Sequence, residues 1–351
     1  MPVNSISSST ISSILQNTVA RLQSQLTTAS SESATGQLAD IGFTLGANAG
    51  RDVALHRQMA DFSALTASNA VVTAQLGSSS AALTGLQGVT QTMLEQIIQN
   101  QTETPGSTGA LALQQTAAGA LSSFASLMNT AVGGVYVFGG VNSDVPPIAE
   151  YAQTPLGAAQ TSMETAFQTT FGFPVTSASV STISGAAMTS FLDTQFAGLF
   201  SGARWKDWSV ASDTATSNRI GANQTTATSL SANRPAFQST AQALTMISAF
   251  GALNLSSDAA AALMTSAQKA ISAGNNGLIQ AGAAVGTMQN QVTQANSAIS
   301  LQQSILTGQI DANETVNSYD VASQVSALTT QLQTAYALTA QIAKLSLVNF
   351  L

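Results

Sequence analysis

The sequence predicts a mainly α protein in which long N- and C-terminal helices frame a smaller middle region containing short β structure. Two observations predict this class: the placement of proline, and a heptad repeat of apolar residues towards both ends of the chain. The chain has 351 residues, and no proline lies between Pro2 and Pro105 or after Pro235. Because a proline inside a helix costs about 3 kcal/mol, the two proline-free regions can form long helices and the middle region cannot.

Apolar residues recur at alternating intervals of three and four in four segments of the chain. This spacing places them along one face of a helix, and we call each such row a heptad seam. A 3.5-residue period sustained over this length is typical of helices that pack along their whole length, so we predict helix-packing and subunit contacts there. Ser318 or Asp320 is placed to cap the last of these helices. The seam residues are Leu15, Val19, Leu22 and Leu26; Val72, Leu76, Leu83, Leu86, Met93 and Ile97; Val285, Met288, Val292, Ile299 and Leu306; and Val321, Val325, Leu328, Leu332, Ile342 and Leu345.

The middle region differs from the ends in composition. Thirteen of the nineteen aromatic residues lie between Tyr136 and Phe250, which predicts a compact aromatic core of its own. Residues 133–147 (GGVYVFGGVNSDVPP) combine β-branched and aromatic residues with glycines and prolines, a pattern typical of one strand or the arm of a hairpin. Phenylalanines scattered among Ser, Thr and Gly between residues 150 and 200 predict a small mixed α/β or β domain, and helix resumes near Pro235.

The chain carries very little charge. Only 7% of its residues are charged, against about 25% in a typical soluble protein, and the net charge is −7. An acidic chain lacks the basic surface that nucleic-acid binding needs, and no apolar run approaches the roughly 18 residues of a membrane span. Because an unpaired buried charge is costly, this composition favours rods surrounded by copies of themselves over an isolated extracellular coiled coil.

No set of residues is typical of a catalytic site, and we predict no enzymatic activity, no cofactor and no metal site. His56, the single histidine, follows Asp52 by four residues in a predicted helix, which favours a surface ion pair over a catalytic pair. The chain has no cysteine and no phosphate-binding glycine motif, and Asp311 and Glu314 lack the regular oxygen ligands of a calcium loop.

Basic and aromatic residues cluster in the middle region. Acidic residues are interleaved with them, so we expect a folded core with surface ion pairs rather than a carbohydrate or nucleic-acid surface. The cluster comprises Arg204, Trp205, Lys206, Trp208, Arg219 and Arg234.

Several strings of the sequence resemble one family. Residues 32–62 (ESATGQLADIGFTLGANAGRDVALHRQMADF) are similar to the N-terminal region of the hook-associated protein 3 family, the hook–filament junction proteins of the flagellin superfamily, as found in alphaproteobacteria. Residues 135–147 (VYVFGGVNSDVPP) resemble the short β segment of that family, and residues 208–220 and 229–246 resemble its return from the outer domain to the helical core.

The C-terminal string is the most specific of these resemblances. Residues 311–351 (DANETVNSYDVASQVSALTTQLQTAYALTAQIAKLSLVNFL) are similar to the Tyr-containing terminal helix of the junction family. The SSGLRIN and LAQAN signatures usual in filament flagellins are absent. Residues 151–199 carry no motif of the family.

The resemblance implies a fold and an organisation. The terminal helices would pack as an antiparallel coiled-coil bundle. Residues 1–45 and 305–351 would form an inner, tube-lining domain, and residues 46–145 and 235–304 a helical rod domain with the short β segment. Residues 146–234 would form the outer, surface-exposed domain.

The resemblance also implies a structural role in the bacterial flagellum, as a short junction ring between hook and filament. The partners would be copies of the same chain in the ring, a neighbouring junction protein on the hook side, flagellin on the other side, and an export chaperone. We expect an extracellular protein exported by the flagellar type III apparatus. The polar N-terminal stretch lacks the features of a cleaved signal peptide.

Three alternatives remain open at this point. A filament flagellin would share the fold and the superfamily. An extracellular coiled-coil fibre or adhesin would instead associate through parallel seams, without pairing its own two ends. The third is an enzyme carried in residues 151–199, which no cluster of acids, bases or ligands supports.

Overall fold

The computed structural model describes residues 8–151 and 157–348. Within these ranges the chain forms nine α-helices and four short strands, and the long helices towards both ends confirm the predicted mainly α class. The helices are α1 (Ser8–Thr35), α2 (Ile41–Leu45), α3 (Ala49–Gln99), α4 (Thr108–Met128), α5 (Ala158–Phe171), α6 (Gly185–Phe191), α7 (Pro235–Phe250), α8 (Ser257–Glu314) and α9 (Ser318–Val348); the strands are β1 (Ala131–Val132), β2 (Val135–Tyr136), β3 (Ser217–Arg219) and β4 (Thr225–Ala227).

The chain divides into two compact units. Unit 1 comprises residues 1–63 and 300–351, and unit 2 comprises residues 64–299. Helices α3 and α8, of 51 and 58 residues, each contribute residues to both units. At a rise of 1.5 Å per residue these helices are roughly 77 and 87 Å long, a length that the absence of proline permits.

In unit 1, α1 and α9 pack as an antiparallel pair. The segment after α1 meets the segment before α9, where the Leu38 N–H donates to the Glu314 carbonyl at 2.8 Å. Further along both helices, Gln23 Nε2 donates to the Tyr336 hydroxyl at 2.6 Å. Residue numbers therefore fall along α1 as they rise along α9, which is the antiparallel pairing that the resemblance implies.

Helix α9 has a different cap from the one predicted. The helix begins at Ser318, and the Oδ1 of Asn317 accepts a hydrogen bond from the Tyr319 N–H at 3.0 Å. The prediction of Ser318 or Asp320 as the cap is wrong because the helix begins earlier than either position would allow. Asp320 lies in the first turn instead, where the helix dipole favours a carboxylate.

In unit 2, the α3 and α8 segments also run antiparallel. Hydrogen bonds between side chains join them at three levels: Asn69 Nδ2 to Asn296 Oδ1 at 2.7 Å, Thr90 Oγ1 to Asn275 Oδ1 at 3.1 Å and, just beyond the end of α3, Gln101 Nε2 to Gln268 Oε1 at 2.9 Å. Uncharged polar residues thus link the two longest helices without an ion pair.

One hydrophobic core runs through unit 2. The rings of Phe167 and Phe191 pack on Phe250 of α7 with centroids 5.5 and 5.9 Å apart, and Phe138 packs edge-on against Phe237 at 5.4 Å. These residues belong to the same buried cluster as the seam residues of α3 and α8. The prediction that the middle region has a separate core is therefore wrong, because its aromatic side chains complete the core of the long helices. The predicted domain boundaries at residues 145 and 235 stay a prediction.

The β structure consists of two short hairpins. Strands β1 and β2 pair antiparallel, with Ala131 opposite Tyr136, and Gly133 and Gly134 form the turn between them. Both glycines have positive φ, 60° and 83°, as a two-residue turn of this kind requires. The predicted strand within residues 133–147 is therefore confined to the start of that segment. Strands β3 and β4 form the second antiparallel pair.

Much of the middle region is helical. Helix α5 buries Ala159, Met163 and Phe167, which recur every four residues along one face. It ends at Gly172, whose φ of 80° is the left-handed conformation that favours glycine at a helix terminus. Helix α6 follows, and α7 begins with Pro235 at its first position, where the missing N–H is not needed. The middle region is thus mixed α/β rather than purely β.

Candidate subunit interface

The terminal helix pair has a thin core. Among the described side chains of α1 and α9, five are buried: Leu22, Ala29, Val321, Leu328 and Ala335. Helices of this kind depend on packing for their stability, because isolated helices in water are marginal. Among the described side chains, the pair buries a single stripe along each helix and leaves most of the others exposed.

The terminal seam residues lie at different depths in this pair. Leu22, Val321 and Leu328 are buried. The half-buried seam residues are Leu15, Val19, Leu26, Val325, Leu332 and Ile342. The side chain of Leu345 lies outside the described residues. The structure thus brings the first and last seams together within one chain, and their role as contacts between subunits stays a prediction.

A groove of about 660 Å³ opens between α1 and α9. Its apolar lining includes Leu15, Leu22, Ala335 and Leu338, and the guanidinium-bearing Arg21 lines it together with Thr and Gln side chains. Half-buried leucines beside an open groove are apolar surface that remains in contact with water in the single chain. Burying such surface is favourable at roughly 25 cal/mol per Å².

Large apolar side chains of unit 1 also project into solvent. Phe43 of α2 and Tyr319 at the start of α9 are both 88% exposed, and Ile14, Tyr336 and Leu338 are about half exposed. Single exposed apolar residues are ordinary on protein surfaces, but several together on α1, α2 and α9 indicate an interaction surface. We call α1 and α9, with their groove and these exposed side chains, the terminal interface.

The seam residues of unit 2 pack against the chain's own helices. On α3, Val72, Leu76, Leu83, Leu86, Met93 and Ile97 are all buried; on α8, Val285, Val292 and Ile299 are buried and Met288 is half-buried. Leu306, the last seam residue of α8, is buried in unit 1. Because the buried seam residues are almost fully covered in the single chain, they pack in its own core and not on its surface.

Asp52, His56 and Glu314 form a cluster in unit 1 that the sequence predicts only in part. The predicted pair with Asp52 exists, with His56 Nε2 3.7 Å from Asp52 Oδ2, but Asp52 is buried and not at the surface as predicted. Glu314 Oε1 is closer to the imidazole, at 2.8 Å. The hydrogen bond between His56 and Glu314 raises the pKa of His56 above its ordinary value. Partial burial lowers this pKa, and the negative charges of Glu314 and Asp52 raise it further. Glu314 lies 258 residues along the chain, so no local spacing rule could indicate it.

The basic and aromatic cluster of the middle region belongs to the core. Trp205 and Trp208 are buried and stacked with ring centroids 6.0 Å apart, and Tyr151 stacks on Trp208 at 5.3 Å. Burial, together with the nearby charge of Glu164, raises the pKa of the Tyr151 phenol. The two tryptophans are therefore part of a folded core, as predicted for this cluster. The predicted ion pairs are wrong, because the salt bridges formed by the described residues all involve His56.

The acids of that cluster have neutral partners instead. Asp207 accepts from Ser162 Oγ at 2.7 Å, and Asp213 accepts from Asn233 Nδ2 at 2.7 Å. Arg219 donates to the Gly221 carbonyl at 2.9 Å. Flat stacking surfaces for a sugar or a base are therefore missing from this cluster, because both tryptophans are covered.

The fold and the terminal interface define a class of protein: a mainly α chain whose two ends pair antiparallel and expose apolar surface suited to neighbouring copies. In the part of the chain that the structure describes, no helix combines the length and apolar character needed to cross a membrane. Residues 6–143 match a family model described as the bacterial flagellin N-terminal helical region, and residues 264–351 match that of the bacterial flagellin C-terminal helical region. A search of curated proteins found no match.

The two matched ranges together cover well over half of the chain and contain both terminal helices. The chain belongs to the flagellin superfamily and is a structural protein of the bacterial flagellum. Proteins of this class self-associate. In this chain, the terminal interface is the part whose exposed apolar surface is suited to such contacts.

Proposed function

We propose that this protein forms the short junction ring between the hook and the filament of the flagellum. The observation that carries the proposal is the C-terminal string, residues 311–351, which resembles the terminal helix of hook–filament junction proteins. The two matched family models do not distinguish a junction protein from a filament flagellin, so the finer assignment depends on this string and on the absence of the filament signatures.

The terminal interface supports assembly into such a ring. The α1–α9 pair buries five described side chains and leaves leucines half-buried along an open groove. Neighbouring copies that cover this groove would remove that apolar surface from water, and they would also meet Arg21, a charged side chain of its lining. We assign residues 1–45 and 305–351 to an inner layer of the ring, residues 46–145 and 235–304 to the rod, and residues 146–234 to the outer surface.

The same proposal specifies partners and location. The ring contacts a junction protein on the hook side and flagellin on the filament side, and the chain is exported to the cell exterior by the flagellar type III apparatus. A dedicated chaperone covers the terminal apolar surface before export, since that surface is exposed in the single chain.

A filament flagellin is the second candidate, because both family models carry the name flagellin. A coiled-coil fibre or adhesin has less support. Its helices would associate in parallel between chains, whereas α1 and α9 pair antiparallel within one chain.

Deletion of the gene tests the proposal. A junction protein connects two structures, so the deletion strain should produce hooks without filaments and release unpolymerised flagellin into the medium. Expression of the intact chain from a plasmid should restore filaments, which serves as the control. Filaments attached normally to hooks in the deletion strain would overturn the junction role.

A further inference from the structure

Three metal-ligating side chains meet in unit 1, outside the terminal interface. Asp52 lies in the first turn of α3, His56 lies one turn later on the same face, and Glu314 is the last residue of α8. One ligand atom from each of the three side chains lies within 4.8 Å of the other two. A tetrahedral ion with bonds of about 2.0–2.2 Å places its donors roughly 3.3–3.6 Å apart. The His56 Nε2–Glu314 Oε1 pair at 2.8 Å would therefore separate slightly, and the His56 Nε2–Asp52 Oδ2 pair at 3.7 Å is already close to that spacing.

Further hydrogen bonds hold the Asp52 carboxylate and the backbone of Glu314 in place. Asn313 Nδ2 donates to Asp52 Oδ1 at 3.2 Å, which leaves Oδ2 directed to His56. The Glu314 carbonyl accepts from the Leu38 N–H at 2.8 Å, which fixes the backbone of this residue against the chain that follows α1. Outer hydrogen bonds of this kind orient the ligands of metal sites.

The charge of the cluster is unbalanced. Asp52 and Glu314 are 3% and 6% exposed, so both carboxylates are largely removed from water. Among the described residues, no Lys or Arg lies within 4.0 Å of either one, and a single imidazole, half exposed, faces both. Buried carboxylates are normally paired or coordinate a metal, because an unpaired buried charge is costly.

We propose that Asp52, His56 and Glu314 form a binding site for a divalent transition-metal ion of the Zn²⁺ type. One imidazole nitrogen and two carboxylate oxygens are a ligand set suited to such ions, and three protein ligands leave a position for water. Ca²⁺ requires six to eight oxygen ligands and does not fit this set. The ion replaces the proton that Nε2 shares with Glu314, and its two charges balance the two carboxylates.

The site has a mechanical consequence within unit 1. The ion joins the beginning of α3 to the end of α8, and through Glu314 and Leu38 it also fixes the segment that leads out of α1. Zn²⁺ therefore raises the thermal unfolding temperature of the full chain by binding the folded state and not the unfolded one.

Zn²⁺ titration of the full-length chain, purified without a polyhistidine tag, tests the site. His56 is the single histidine, so ¹⁵N labelling of histidine reports on this one imidazole. The expected result is one bound equivalent, measured by competition with a chromophoric chelator, and a change in the Nε2 resonance that is complete at that equivalent. Absence of stoichiometric binding, or binding that leaves the Nε2 resonance unchanged, overturns the proposal.

Substitutions locate the ligands. His56→Gln and Glu314→Gln should each weaken Zn²⁺ binding at least about tenfold, because even the loss of a hydrogen-bond partner of a metal ligand typically costs that much. Asp311→Asn is the matched control, because it removes an exposed carboxylate from the same end of α8 without removing one of the three metal ligands. It should leave the affinity for Zn²⁺ unchanged. Circular dichroism shows whether each variant is folded. Equal affinity in folded wild-type and both ligand variants would contradict the assignment, and the result is independent of the junction role.

Discussion

Asn69 occupies a position where the α3 seam would place an apolar residue. It is fully buried, and its Nδ2 donates both to the Ile220 carbonyl at 2.8 Å and to Asn296 Oδ1 at 2.7 Å. The amide therefore connects α3 to α8 and to the chain at the end of β3. A buried polar residue at such a position fixes the register of packed helices at some cost in stability.

Asn69→Asp should destabilise unit 2, because an oxygen would replace the NH₂ group that faces two acceptors. The expected loss is about 3 kcal/mol or more in the free energy of unfolding, since the new charge is buried without a partner. Urea unfolding followed by the fluorescence of the buried Trp205 and Trp208 measures this loss. Asn296→Asp is the control: it keeps an oxygen opposite Asn69 Nδ2 and should cost no more than about 1 kcal/mol. Equal losses in both variants would show that the Asn69 donor is unimportant.

At the scale of residues, sequence reasoning succeeds where a contact follows from helical spacing. The seam residues Leu76, Leu86 and Ile97 are buried, as apolar residues at that spacing should be. Sequence reasoning fails where a contact joins parts of the chain that are distant in sequence. Nothing near His56 in the sequence indicates Glu314, because the two meet only when α3 and α8 are placed side by side.

At the scale of elements, α8 contains glycines with opposite roles. A Cβ at Gly277 would lie 2.7 Å from Ala236 Cβ and 3.0 Å from its Cα, so this glycine allows α7 to approach α8 closely. A Cβ at Gly286 would meet no atom within 4 Å. The two positions differ in their surroundings and not in their helical conformation.

Alanine at these two glycines should therefore change stability in opposite directions. Gly277→Ala is expected to lower the free energy of unfolding by about 1–3 kcal/mol through overpacking. Gly286→Ala should raise it by up to about 1 kcal/mol, because alanine favours the helix and restricts the unfolded chain. Thermal unfolding of both variants beside the wild type measures the difference, and stabilisation by Gly277→Ala would contradict the close packing of α7 on α8.

The terminal helices should be sensitive to a charge at the seam. Leu22→Asp places a carboxylate in the α1–α9 contact, where a buried charge without a partner costs about 3–5 kcal/mol. The variant should be exported and soluble but should fail to assemble, so the cells should not swim in soft agar. Leu22→Met is the control, since it conserves volume and apolar character and should retain motility. Normal motility with Leu22→Asp would show that this seam is not a contact.

Elements differ in how far the sequence predicts them. The long helices follow from the absence of proline, and the β1–β2 turn follows from Gly133 and Gly134. Helix α5 was not predicted, although Ala159, Met163 and Phe167 recur every four residues, because Ser, Thr and Gly around the phenylalanines also fit strands. The 3.6-residue period is the stronger observation in such a segment.

At the scale of the whole molecule, the two units differ in the extent of their cores. Unit 2 has a continuous core of aliphatic and aromatic residues, whereas the α1–α9 pair of unit 1 buries five described side chains. The sequence could not show that the aromatic residues of the middle join the core of the helices, because their contacts with α7 are tertiary. It could indicate that the chain ends need partners, because apolar seams cannot remain exposed.

Limited proteolysis of the dilute monomer should reflect this difference. Cleavage is expected first within the terminal stretches at both ends, leaving a resistant fragment of roughly residues 50–300, because thin cores open locally at little cost. Mass spectrometry of the fragments locates the cuts, and assembled protein serves as the control that should resist cleavage at the ends. A full-length chain that stays intact while monomeric would remove the main physical argument for assembly-dependent termini.

Immunolabelling of intact flagella in the electron microscope tests the central claim, the junction role, most directly. Label should be confined to a collar where hook meets filament, with none along the filament. Label along the whole filament would contradict the junction role and make this chain a filament flagellin, with the fold and the terminal interface unchanged. Absence of label from flagella would contradict the flagellar role itself.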